Sequence, residues 1–241
     1  MVLLTDALPG APDNTSTANA SRRTDDLSNY LFRQLLGWIG LLLPAFLIFL
    51  VWWRDGLGVW DRLESVSAYY YTGSVAAFVG MLVAFALFLL VYRGYNNRYH
   101  KADVWAARTG GVAALGIALF PTREPDGMAR LTWWDPWIGV VHHVSAIVLF
   151  GIFALFCLWL FRATDGAVRV DDGKKWRNRI YLVCGLVIIG CIIWAVANGR
   201  KGDSIFVPES IALIAFALSW LVKGYFHRSI LDAARSLVGK S

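Results

Sequence analysis

Charge is scarce in this chain. Asp, Glu, Lys and Arg together make up 17% of its 241 residues, whereas 57% are hydrophobic, and the mean hydropathy is +0.52. An ordinary soluble domain carries roughly 25% charged residues, so that class does not fit. Cysteine is equally sparse. Cys157, Cys184 and Cys191 all fall inside apolar runs, and no Cys-x-x-Cys spacing occurs. They read as small apolar packing residues, and neither a disulfide nor a cysteine-based zinc site is expected. Also missing are the Gly-x-Ser-x-Gly, Walker, Rossmann and His-Glu-x-x-His patterns, an internal repeat, and a matched pair of interrupted helices of the transporter kind. No cofactor is expected.

Long apolar runs are what the chain does have. A helix needs about 20 apolar residues to cross a hydrocarbon core of about 30 Å. Six runs approach that length: Leu35–Trp53, Ser74–Tyr92, Val104–Phe120, Gly139–Phe161, Ile180–Ala197 and Ile205–Leu221. The expected fold is therefore all-α, a polytopic bundle of six transmembrane helices over residues 29–224. Residues 1–28, a Pro, Asn, Ser, Thr and Asp mixture without a cleavable signal peptide, read as a disordered cytoplasmic tail. Residues 225–241 place Phe226, Ile230, Leu231 and Leu237 among charged residues, which predicts an interfacial amphipathic helix on the cytoplasmic leaflet.

The net charge of +6 does not point to nucleic acid, because the basic residues form no single patch. They follow topology instead. The tails and the second and fourth loops hold most of the Lys and Arg. The fourth loop is the richest, with Arg162, Arg169, Lys174, Lys175, Arg177 and Arg179, whereas the first, third and fifth loops carry two each. The positive-inside rule then puts both termini in the cytoplasm of a multi-pass protein of the plasma (inner) membrane. In span 3, Ala102, Ala106, Gly110, Ala114 and Ala118 recur every four residues and form one smooth packing face. Asp103 is expected to pair with Arg108 or to lie at the interface. Pro44 should kink span 1.

One loop is unlike the others. Between spans 1 and 2 stand Glu64, Ser65, Ser67, Tyr69, Tyr70, Tyr71 and Thr72, a density of polar groups that a plain connection does not need. Under the predicted topology this loop lies outside. So do His142 and His143 early in span 4, Glu209 after Pro208 at the start of span 6, and Trp133 in the third loop. Ionisable groups at such depth are costly and face a bundle interior or a wet cavity. The candidate ligand-binding set is therefore Glu64, Ser67, Tyr69, Tyr70, Tyr71, Thr72, Trp133, His142, His143 and Glu209. Each has a plainer role open to it. Glu64 fits a solvated loop, Glu209 a helix N-terminus, and the tyrosines and tryptophans an aromatic belt. Neighbouring helical residues point about 100° apart, so both histidines rarely ligate one metal. They read as buried hydrogen-bonded histidines, as metal ligands together with Glu64 and Glu209, or as a proton-handling pair.

The stretch Ser65-Val-Ser-Ala-Tyr-Tyr-Tyr-Thr72, followed by Phe78-Val79-Gly80, resembles the signature of a family of bacterial six-span membrane proteins. Gly116-Ile-Ala-Leu-Phe-Pro-Thr122, Glu209-Ser-Ile-Ala and Ser219-Trp-Leu-Val-Lys-Gly224 add to it, and the resemblance covers most of residues 33–225. It implies the six-span fold but brings no activity. A looser likeness to DRAM and Frag-like proteins concerns topology alone. The ceramidase and progestin-receptor hydrolases differ, having seven spans and a His-x-x-x-His pair that this chain lacks. The leading expectation is an outward-facing polar and aromatic pocket for a lipid or another amphiphile. The alternatives are an intramembrane metal-dependent hydrolase, a proton-coupled transporter, or a subunit of a larger complex. The expected partners are the bilayer, that ligand, and either a second copy of the chain or a larger membrane assembly.

Overall fold

The computed structural model describes residues 14–56, 63–94, 98–163 and 172–238, with the side chains of 14–29 and 225–238 outside the description. Each apolar run becomes a helix: α1 (Asn14–Asp55), α2 (Val75–Val91), α3 (His100–Leu119), α4 (Pro136–Leu155), α5 (Asp172–Gly199) and α6 (Phe206–Val238). No strand occurs among the described residues. The loop after α1 carries a short 3-10 helix at Ser67–Tyr71, and α4 ends in a π-helical turn at Phe156–Leu160. Helix α1 begins inside the segment expected to be a disordered tail, whose first thirteen residues lie outside the description. Beyond Gly224, α6 continues unbroken to Val238.

Four stretches are long and apolar enough to cross a membrane: Tyr30–Asp55, Pro136–Leu160, Asp172–Gly199 and Phe206–Gly224. Helix α2 is shorter, with 17 residues. Helix α3 carries Lys101, Asp103 and Arg108, which lower its hydropathy. The outer surface of the bundle is apolar. Phe46 and Phe49 of α1, Leu87 of α2, Val144 and Ile147 of α4, and Ile193 of α5 are all exposed. A monomeric soluble protein rarely shows so continuous an apolar surface, whereas a bilayer requires one.

The helices form a closed ring. Each packs against its neighbours in sequence, and α1 closes the circle against α6. Aromatic side chains fill the middle. Phe153 stacks on Phe216 at 3.6 Å between ring centroids, and Phe85 meets both rings. Trp220 contacts Tyr92, Phe156 and Phe161. The π-helical turn adds one residue to the helical repeat, and Phe156, Cys157 and Leu160 all turn inward there. The small-residue face of α3 is packed as its spacing implies. A Cβ on Gly110 would touch Ile152 of α4, and one on Gly111 would press on Leu90 and the Ala86 carbonyl of α2.

Asp103 does not pair with Arg108, the first of the two roles expected for it. It is 4% exposed and accepts a hydrogen bond from the Tyr92 hydroxyl at 3.3 Å, while Tyr92 accepts one from buried Arg33 at 3.3 Å. Arg108 points to the opposite, exposed face of α3 and makes no ion pair with any described residue. At this same end of the ring Lys223 donates to the Phe161 carbonyl at 3.0 Å and lies over the Phe161 and Tyr181 rings. The sequence alone singled out neither Arg33 nor Lys223 for a place inside the bundle. Their inward placement closes the end of the bundle opposite the polar loop.

Candidate functional site

The polar loop reaches its position through the backbone. The Glu64 carbonyl accepts the amides of Ile205 and Phe206 at 2.7 and 2.9 Å and the Ser204 hydroxyl at 3.0 Å. One carbonyl thus ties the segment before the 3-10 helix to the start of α6. Glu209, in the first turn of α6, returns the tie by accepting the Val66 amide at 2.8 Å. At the far end of the loop, Asp55 of α1 accepts the Gly73 amide at 3.0 Å. The Thr72 hydroxyl donates to the Tyr69 carbonyl at 2.8 Å and lies 2.6 Å from the Ser74 hydroxyl. The loop is therefore held at three points and turns Ser67 toward the bundle axis.

Ser67 meets His142 there. The His142 Nδ1 lies 2.7 Å from the Phe120 carbonyl, which can only accept, so Nδ1 carries the proton. Nε2 then presents its lone pair, and the Ser67 hydroxyl donates to it at 2.9 Å. Ser67 and His142 are 8% and 4% exposed. His142 sits six residues into α4, which at 1.5 Å per residue places it roughly 9 Å below the start of the helix. Asp135 in extended conformation and Pro136 at the first helical position set that start. His143 points elsewhere. Its Nδ1 donates to the Gly139 carbonyl of its own helix at 2.6 Å, and its ring is exposed.

A cavity of about 340 Å³ opens beside this pair, between α4 and α5. Its polar floor consists of Ser65, Ser67, Thr122, His142 and Glu209. Its walls are apolar, from Ala146, Ile147 and Phe150 of α4 and from Ile192, Ala195 and Val196 of α5. His143 and Arg200 line its polar end as well. An apolar-walled slot that ends in a few convergent polar groups is the general form of a small-molecule site.

Six residues of the expected set do not line this cavity. The Glu64 side chain is exposed and works through its carbonyl. Tyr69 is buried against Phe206, and Tyr70 packs on Tyr71 and Phe78. The Tyr71 hydroxyl donates to the Thr122 carbonyl at 2.6 Å, joining the polar loop to the third loop. Thr72 serves the turn described above. Trp133 is 52% exposed, and its neighbour Trp134 is the anchor, donating from Nε1 to the Pro121 carbonyl at 3.0 Å. The aromatic residues build the scaffold of the site, because a buried phenol or indole needs one partner and the irregular loops supply spare carbonyls.

Tyr71 lies outside the spanning helices, and its phenol is raised above the ordinary 10.0. Burial is the main cause, followed by the Glu124 carboxylate and Tyr70, with Arg130 opposing. The metal set His142, His143, Glu64 and Glu209 does not assemble. Among the described residues no group of three or more His, Cys, Asp or Glu comes together as a metal site. Both ring nitrogens of His142 are engaged, one ring nitrogen of His143 is held by its own helix, and the Glu64 carboxylate is exposed. Ser65, Thr122 and Arg200 line the cavity but were not in the candidate ligand-binding set. Ser65 and Thr122 sit inside the quoted signature stretches, so their hydroxyls were the available signal. Arg200 gave none beyond its charge.

No protein-family model matches the chain, and no curated protein or solved structure matches it.

Proposed function

We propose that the chain is a multi-pass membrane protein whose cavity between α4 and α5 binds an amphiphile. The carrying observation is the cavity itself, with apolar walls on two spanning helices and a polar floor at Ser67, His142 and Glu209. An acyl or alkyl chain would lie along Phe150, Ile147 and Ile192, and its polar end would reach the floor and Arg200. A volume of about 340 Å³ lies at the lower end of the roughly 300–1,000 Å³ range of small-molecule sites. That favours a single-chain amphiphile over a whole two-tailed phospholipid.

All six helices of the ring would span the membrane in this reading, with α2 and α3 completing it between α1 and α4. Both termini would lie in the cytoplasm and the site would face outward, as the distribution of Lys and Arg supports. Membership of the bacterial six-span family is part of the same proposal and stands on the signature in the polar loop. The binding test is direct. Protein purified in mild detergent is extracted and its bound lipids are weighed by mass spectrometry. Wild type is expected to retain a stoichiometric single-chain amphiphile, and Ala146→Trp, which fills the slot from α4, to lose it. Equal retention by both proteins, or retention by neither, overturns the proposal.

A further inference from the structure

The pairing of Ser67 with His142 resembles a part of catalytic machinery more than a ligand contact alone. A serine nucleophile needs a base within about 2.6–3.2 Å, and the base needs a third group that fixes its tautomer and orientation. Both conditions are met. Ser67 Oγ lies 2.9 Å from His142 Nε2, and the Phe120 carbonyl holds Nδ1–H at 2.7 Å. A carbonyl takes the orienting place here that a carboxylate holds in the familiar triad. Both side chains line the cavity, so a bound molecule reaches them without rearrangement of the helices. Ser65 Oγ already accepts the Ala68 amide at 3.1 Å, which leaves its hydroxyl proton to donate into the same cavity.

We infer that Ser67 and His142 form a nucleophile–base dyad that cleaves a carboxylic ester of the amphiphile bound in this cavity, an inference that rests on the binding reading above. The depth of the dyad suits that bond. It lies roughly 9 Å along α4 from its start, toward one end of a spanning helix and away from its middle, as an ester at the edge of a hydrocarbon core requires. Ser67 Oγ attacks the ester carbonyl carbon while its proton passes to His142 Nε2. The bond from that carbon to the alcohol oxygen breaks, and the departing oxygen takes the proton from Nε2. Water then attacks the acyl-Ser67 carbon and gives its proton through His142 to Ser67 Oγ, which releases the carboxylic acid and restores the dyad. No oxidant, metal or further co-reactant is needed.

The test uses the full chain in nanodiscs, with an alkyl fluorophosphonate as the covalent probe. The expected result is a single adduct, mapped by peptide mass spectrometry to Ser67 and absent in Ser67→Ala. His142→Gln, checked by its melting curve, is expected to slow labelling at least tenfold with Ser67 still present. Its pH profile should lose the sigmoid that an imidazole base imparts on wild type. Retention of a non-hydrolysable alkyl ether of the same chain length is measured in parallel. Ether retained without an adduct at Ser67 overturns the dyad and leaves the binding reading standing. Ether not retained overturns the binding reading. An adduct on any other serine, or equal labelling rates in wild type and His142→Gln, also overturns the dyad. None of these outcomes depends on a variant alone, since the wild-type adduct is itself decisive.

Discussion

Glu209 accepts the amide of Val66, a residue only 5% exposed. Glu209→Ala leaves that amide without a partner, a loss of about 1–3 kcal/mol. Glu209→Gln keeps an accepting oxygen at the same place. The alanine variant is therefore expected to melt well below the glutamine variant, and equal melting temperatures would show that the tie does not hold the loop. Tyr71 gives a pH-dependent case. Its neutral phenol donates to Thr122, and its pKa in the folded protein is raised. The stability it contributes is fully present below the unfolded value near 10 and is lost as pH rises through the raised folded value. Tyr71→Phe should cost about 0.5–1.5 kcal/mol at pH 8. Melting curves taken from pH 8 to 11.5 should show a smaller alkaline decline in the variant than in wild type; parallel declines would deny the phenol this role. At this scale the sequence was half legible. Ser67, His142 and Glu209 stood out because ionisable and hydroxyl groups are costly near a span. The tyrosines, Thr72 and the Glu64 carboxylate stood out for the same reason, yet Tyr69 and Tyr70 pack on rings, Tyr71 ties to Thr122, Thr72 serves its own turn and the carboxylate is exposed. Composition records that a polar group is present and says nothing about which partner it finds.

Helix α3 shows how packing rather than hydropathy holds an element in place. Its charges keep it from resembling a simple span, but its glycines and alanines let α2 and α4 approach on both sides. Gly111 has the Ala86 carbonyl 3.0 Å from the position of an added Cβ, and a backbone atom cannot swing away. Gly111→Ala is expected to destabilise by about 1–3 kcal/mol through overpacking. Gly151 of α4 has nothing within 4 Å of an added Cβ. There the helix gains from the loss of glycine's backbone freedom, and Gly151→Ala should be neutral or stabilising by up to about 1 kcal/mol. Denaturation of the two variants side by side separates close packing from helix propensity, and a shift of the same sign in both would contradict the assigned contacts. The helices themselves were readable from apolar run length, and the face of α3 from its four-residue spacing. The π-helical turn at Phe156–Leu160 was not readable. Within it Phe156 packs on Trp220 and Cys157 bonds to Ser219, and no residue type announces such a turn.

Over the whole molecule, the ring has two ends of different character. The His142 end carries the cavity and few cations. The opposite end buries Arg33 and Asp103 beside half-buried Lys223, and the cation-rich segment around Lys174, Lys175 and Arg177 begins α5 there. An anionic leaflet and the insertion machinery act on exactly this kind of asymmetry, since positive segments resist translocation. The orientation is therefore testable with single accessible thiols. Cys157, Cys184 and Cys191 are buried within the bundle, so a membrane-impermeant maleimide should leave the parent protein unlabelled in intact cells. Lys201→Cys, beside exposed Arg200 at the mouth of the cavity, is expected to label from outside. Lys174→Cys is expected to label only after the membrane is opened. The reverse pattern would put the cavity in the cytoplasm and make its ligand a product of the inner leaflet. Labelling of both sites from one side would mean an even number of crossings between them. Residues 174 and 201 flank the apolar length of α5 alone, so that result would remove α5 from the membrane and with it one wall of the cavity.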